Sequence, residues 1–243
     1  SGPDVIELSG AAFSPTTQYD IEAGAGNDTV VGSAGDNYIS GGTGADKLSG
    51  GTGRDGYEFA QGDSPAISVV VQGSAPASFT LAGGVDVVTD MAPGEWLSLR
   101  SPSSTQPGAD GITPMGSGLF TLSGAMPSDG LATDQGYFVV RGSLSESGAT
   151  ATFSVQPDSG PDTLVVYDGD RTSAISQTGI VIKGVAPADL YATVGSISVR
   201  EQSGGGYQSD DVKLGTENPD TLEGGGSDNL VLLGAGGNDL GLG

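Results

Sequence analysis

Residues 23–58 read as AGAGNDTVV (23–31), GSAGDNYIS (32–40), GGTGADKLS (41–49) and GGTGRDGYE (50–58), four consecutive blocks of nine. Each fits G-G-x-G-x-D-x-U-x, in which U is a large apolar residue. In a chain with 44 glycines one such block means little. Four in unbroken register mean much more, because stacked repeats require register and mere richness in glycine and aspartate does not supply it. A flexible Gly/Asp linker has no reason to place an apolar residue at every eighth position.

The spacing carries the chemistry. Glycines at the first, second and fourth positions, among them Gly24, Gly26, Gly35, Gly41, Gly42, Gly44, Gly50, Gly51 and Gly53, permit φ > 0 and a tight reversal. The sixth position offers an oxygen ligand: Asp28, Asn37, Asp46 and Asp55. The eighth points an apolar side chain inward: Val30, Ile39, Leu48 and Tyr57. A turn plus a short strand makes half of a flattened coil, so alternate blocks stack on the same edge. That pairs Asp28 with Asp46 and Asn37 with Asp55. Carbonyls of the glycine turns complete an all-oxygen shell of about six to eight ligands, which suits Ca²⁺. Asparagine is the weaker ligand, so the edges of Asn37 and Asn229 are expected to fill less tightly or not at all.

These blocks resemble the RTX (repeats-in-toxin, haemolysin-type) calcium-binding repeat. The resemblance implies a parallel β-roll that is disordered without calcium and folds on binding it, and export through a type I secretion system. It covers residues 20–59 well and 215–243 loosely. In the second stretch GTENPDTLE (215–223) and GGGSDNLVL (224–232) fit the frame, and GAGGNDLGL (234–242) follows after one extra residue. Their ligand positions are Asp220, Asn229 and Asp239.

Composition narrows the partners. Thirty acidic residues against eight basic ones give a net charge of −22. That disfavours nucleic acid and anionic membranes, and favours divalent cations. The chain has no cysteine, so disulfides are excluded. No apolar run reaches the roughly 18 residues of a membrane-spanning helix. SGPDVIELSG at the N-terminus lacks the regions of a secretory signal peptide, and the chain reads as part of something longer.

Three segments follow: 1–62, a cap and β-roll; 63–210, a β-sandwich; and 211–243, the start of a second roll. Gly2, Asp4 and Ile6 echo half a repeat and suggest an irregular first coil. Tyr57 and Phe59 are placed to close the open end of the first roll. Between the rolls, alternating or β-branched runs such as AISVVVQ (66–72), SFTLA (78–82), VDVVTDM (85–91), EWLSLRS (95–101), GLFTLSG (118–124), GYFVVRGSL (136–144), ATATFSVQ (149–156), DTLVVYD (162–168), GIVIKGV (179–185) and ISVRE (197–201) predict strands. Only PADLYA (187–192) offers a helical turn. The order GGTGRDGYEF, VDVVTDMAPGEWLSL, YFVVRG, DTLVVYDG, GIVIKGVAPADL is similar to the sandwich that caps the roll in serralysin-type proteases and RTX surface-layer proteins. Met91 stands for the usual phenylalanine, and Glu95-Trp96 replaces the usual acidic turn.

Catalysis finds little footing. Without histidine there is no Ser-His-Asp triad and no H-E-x-x-H zinc site; without cysteine there is no thiol nucleophile. Among 30 acids no glycosidase-like pair stands out. GDSP (62–65) reads as a turn, DGDR (168–171) as a hairpin turn and Trp96 as core. The expectation is therefore a non-enzymatic, calcium-dependent structural module of an extracellular bacterial surface protein (surface layer, filament or adhesin) that self-associates. The alternative is an accessory domain of a type I-secreted enzyme.

Overall fold

In a computed structural model, residues 2–10, 16–67, 78–100, 136–148, 150–156, 158–168, 177–193 and 196–200 are described, together with the strand residues at 212–214, 221–223, 231–233 and 240–242. The expected strand at 118–124, most of 66–72, DGDR beyond Asp168 and the positions Asp220, Asn229 and Asp239 lie outside the described residues. Ser1–Arg200 and Glu201–Gly243 form two compact units.

The first unit begins with alternating coils. Strands β1 (Val5–Glu7), β3 (Thr29–Val31) and β5 (Lys47–Ser49) lie side by side and parallel in one sheet, and β2 (Tyr19–Glu22), β4 (Asn37–Ser40) and β6 (Gly56–Ala60) in another. Each nonapeptide thus contributes a turn and one short strand, and consecutive strands alternate between the sheets. Within a repeat strand the eighth residue points inward: Val30, Ile39, Leu48 and Tyr57 are fully buried in one cluster that draws on both sheets. Burying each such side chain contributes about 1.5–3 kcal/mol. The first coil is regular enough to pair, with Val5 opposite Thr29 and Tyr19 opposite Asn37.

The remaining strands are β7 (Ala66–Ile67), β8 (Ser78–Ala82), β9 (Asp86–Val88), β10 (Trp96–Arg100), β11 (Gly136–Ser147), β12 (Thr150–Val155), β13 (Asp162–Asp168), β14 (Gln177–Ile182), β15 (Leu190–Thr193) and β16 (Ser196–Val199). They extend the two sheets already begun. Among the described residues the larger sheet runs β1-β3-β5-β9-β14-β13-β11-β12-β8, with β7 on β14, and the smaller runs β2-β4-β6-β10-β16-β15. Pairing stays parallel as far as β14 and β10, and is antiparallel beyond them. The helical turn at 187–192 is a single 3₁₀ turn, Pro187–Asp189.

Two expectations are corrected here. The boundary at residue 62 does not divide the structure: both sheets run past it, and one core joins repeat residues such as Leu48 to Tyr137, Val165 and Ile197. Nor do Tyr57 and Phe59 close the roll. Both are buried, but β10 pairs with β6 in parallel, so the coil goes on. Lys47 lies opposite Val87 and Gly56 opposite Trp96, the same step on both edges, so residues 83–100 form a further full coil. Its inward residues, Val88 and Leu97, are fully buried like the eighth positions before them.

In the second unit β17 (Val212–Leu214) pairs in parallel with β19 (Val231–Leu233), and β18 (Thr221–Glu223) with β20 (Leu240–Leu242). Two parallel ladders from alternating strands repeat the pattern of the roll.

Candidate metal centre

Stacking the coils aligns the sixth positions. On one edge Asp4, Asp28 and Asp46 stand in a row before β1, β3 and β5. The amide of Asp4 donates to Oδ1 of Asp28 at 2.7 Å, and the amide of Asp28 to Oδ1 of Asp46 at 2.8 Å. On the other edge the amide of Asn37 donates to Oδ1 of Asp55 at 2.7 Å. The expected pairs, Asp28 with Asp46 and Asn37 with Asp55, are therefore neighbours across eighteen residues.

Each carboxylate uses one oxygen in this ladder. The other, Oδ2, is buried without a hydrogen-bond donor in Asp28, Asp46 and Asp55. Three carboxylates no more than 1% exposed, each with an unmet oxygen, are costly as bare anions. A proton or a cation removes the cost. Burial, reinforced by the charges of Asp28 and Asp63, pushes the Asp46 carboxyl up to about 6. Burial likewise raises Asp55, with the charge of Asp90 adding to it.

The glycines define the space around these oxygens. Gly42 and Gly44 have φ of 85° and 142°, and a Cβ on either would collide with the carbonyl of Gly24 or Gly26 in the turn stacked on it. First-position Gly41 and Gly50 serve another purpose than the φ > 0 expected of them: their backbones do not take a positive φ, but a Cβ there would strike Oδ2 of Asp46 or Asp55. Among the described residues no three acidic side chains converge on a common point. An ion between two turns would therefore take one carboxylate from each and backbone carbonyls for the rest. Hard all-oxygen donors in that number suit calcium, and the residues present fit it.

The second edge is built differently. Its repeat has Ser33 at position two, and Gly35 is not among the positive-φ glycines. The Asn37 side-chain amide donates to Oδ1 of Asp55 at 3.0 Å, to the carbonyl of Gly50 at 3.2 Å and to the carbonyl of Gly35. Beyond Asp55 stands a second acid, Glu95, 1% exposed. Burial and the negative charges of Asp55 and Asp90 push Glu95 up to about 8.

Several supporting residues escaped the sequence reading. Asn27 and Asp36, at position five, accept from the amides of Ala45 and Arg54 in the next turn on their edge, at 3.1 and 2.9 Å. The -ND- and -DN- pairs at positions five and six were the available signal. Asp90 holds the last turn: its carboxylate accepts from the amides of Gly50 and Gly51, from Ser49 Oγ and from the Tyr57 hydroxyl. GDSP is the expected turn, with Ser64 buried. Trp96, expected in the core, is half-buried with its ring over the α-carbon of Gly56; its neighbour Leu97 points inward instead.

No curated protein matches the chain. Residues 22–57 match, in four copies, the family model of the RTX calcium-binding nonapeptide repeat, so this stretch of the roll is a run of calcium-binding repeats and Ca²⁺ is its cation.

Proposed function

We propose that the chain is a calcium-dependent structural module of a secreted bacterial surface protein, with Asp28, Asp46 and Asp55 as its side-chain ligands and the turn glycines supplying carbonyls. The buried, donorless Oδ2 atoms of these three residues carry the reading. Without calcium the stacked carboxylates repel one another, and the thin core only partly offsets the entropy of ordering the turns, which leaves a loosened, marginally stable fold. With calcium, repulsion becomes coordination and the eighth positions stack. Proteins with such repeats are typically secreted, which fits a chain that folds where calcium is plentiful. A surface role is favoured over an accessory role beside an enzyme by the open end of the roll. Among the described residues β1 and β2 are edge strands, Val5 is 78% exposed, and unpaired edges recruit further strands. A second roll-like unit follows in the same chain, and head-to-tail stacking between copies would build a fibre or lattice.

Sedimentation velocity of the chain in EGTA and then in about 5 mM Ca²⁺, above the affinity range of extracellular modules, tests this. Compaction followed by growth into larger species is expected. Compaction to a stable monomer would remove self-assembly and leave the accessory role. No response to calcium would remove both.

A further inference from the structure

The row of acids on the first edge continues past the repeats. After β5 the next parallel strand is β9, and the residue that opens it is Asp86, outside the matched repeats. Three features of the step from Asp28 to Asp46 recur in the step from Asp46 to Asp86. The amide of Lys47 donates to the carbonyl of Asp28 at 2.8 Å, and that of Val87 to the carbonyl of Asp46 at 2.8 Å. The amide of Asp28 donates to Oδ1 of Asp46 at 2.8 Å, and that of Asp46 to Oδ1 of Asp86 at 2.8 Å. Oδ2 of Asp86, like Oδ2 of Asp46, is buried with no donor, and Asp86 is 1% exposed.

The turn beyond is rebuilt from residues that belong to no repeat. The carbonyl of Thr43 accepts from the amide of Gly26 at 2.9 Å; one level on, the carbonyl of Asp63 accepts from the amide of Gly44 at 2.7 Å. The segment Gln61–Pro65 thus takes the place of the next turn in the stack. The row ends there, where the amide of Asp86 donates to Ser64 Oγ at 3.0 Å. A buried carboxylate with half of its acceptor capacity unmet requires a proton or a cation. The same arrangement one step earlier belongs to a calcium-binding repeat.

We propose that Asp46 and Asp86 share a calcium ion, completed by backbone oxygens of the 41–46 turn and the 61–65 segment. A repeat encodes only its Asp46 half; Asp86 and the 61–65 segment lie outside the matched repeats. It fastens the roll to β9, and through the parallel β9–β14 ladder to the antiparallel strands beyond. Calcium then acts on the whole first unit, because the ion bridges residues forty positions apart instead of eighteen. The proposal rests on the calcium reading of the repeats, and its test separates the two.

Equilibrium dialysis measures the calcium bound per full-length chain for the wild type and for Asp86→Asn. The expected result is one ion fewer in Asp86→Asn, with the other ions retained. An unchanged count overturns the proposal. A wild type that binds no calcium overturns the reading of the repeats, and the proposal with it. Because substitution in a buried ladder threatens the fold, wild-type crystals soaked in Tb³⁺ give a second readout. An anomalous peak between the Asp46 and Asp86 carboxylates is expected. A peak between Asp28 and Asp46 with none between Asp46 and Asp86 overturns the proposal.

Discussion

The side-chain amide of Asn37 donates to Oδ1 of Asp55 at 3.0 Å, placing an uncharged donor between two stacked turns. Across the roll, the side chains of Asp28 and Asp46 bring only acceptors to the equivalent place. The space between Asp28 and Asp46 is set up to receive a cation, and the space between Asn37 and Asp55 carries its own substitute. Asn37→Asp removes three donated hydrogen bonds and adds a buried negative charge. In EGTA the variant is expected to lose stability, at about 1–3 kcal/mol for each buried acceptor left unmet. In calcium it is expected to bind one ion more than the wild type. Dialysis and thermal melts check both, and an unchanged stoichiometry would mean that the space between positions 37 and 55 takes no ion even with two aspartates.

Position two of the repeat separates backbone conformation from space. Gly24 and Gly42 both have positive φ, 103° and 85°, but a Cβ at Gly24 meets nothing within 4 Å, whereas one at Gly42 runs into the carbonyl of Gly24. Gly24→Ala is expected to cost about 1–3 kcal/mol of backbone strain. Gly42→Ala adds a collision between stacked turns and should raise the calcium midpoint of folding well beyond that. Circular dichroism during calcium titration compares the two, and equal midpoints would contradict close stacking.

The pH dependence should change sign with calcium. In the fold Asp46 is pushed up to about 6 and Glu95 up to about 8, chiefly by burial. Groups whose folded-state pKa is raised add stability that is complete below the ordinary carboxylate range, about 4, and is lost as pH climbs through the folded values. The calcium-free protein should therefore melt higher at pH 5 than at pH 8. Calcium needs the deprotonated carboxylates, so its affinity should weaken as pH falls below about 6 and the calcium-loaded protein should show the opposite order. Melts in EGTA and in calcium at both pH values decide it.

Leu48 is fully buried at an eighth position, in contact with the core shared by both sheets. Leu48→Ala is expected to cost about 2–5 kcal/mol. Because folding and binding are linked, the loss should appear as a higher calcium midpoint with the number of bound ions unchanged. A variant that instead lost an ion would place Leu48 nearer the metal chemistry than its inward position allows.

The nonapeptides were legible because two periodicities coincide in them. Glycine turns fix where the chain reverses, and the eighth residue fixes which side faces in. Val30, Ile39, Leu48 and Tyr57 were all assigned inward and all are buried. The coil at 83–100 was missed because only part of the signature survives. Gly84, Asp86 and Val88 hold positions four, six and eight, but Leu81 and Ala82 stand where the first two glycines would be. On the other edge Pro93 and Glu95 replace glycine and aspartate at positions four and six. Such a coil forms because the sheet beneath supplies a ladder to join, and that support cannot be read from the segment alone. Trp96 was misplaced for a related reason. Its strand alternates, but the assignment of faces is set by register against Gly56 and Tyr57, which places Leu97 inward and Trp96 outward.

After the Gln61–Pro65 turn the chain leaves the stack, adds β7 beside β14 and β8 at the far end of the larger sheet, and returns with both edges in step. The phase of the roll is therefore carried by its turns and ladders and is indifferent to how much chain lies between them. That makes the connection between Ile67 and Ser78 a splice point. A loop could be lengthened, shortened or exchanged for a foreign segment there while the coils on either side keep their count, much as a bookmark leaves the pagination of a book unchanged.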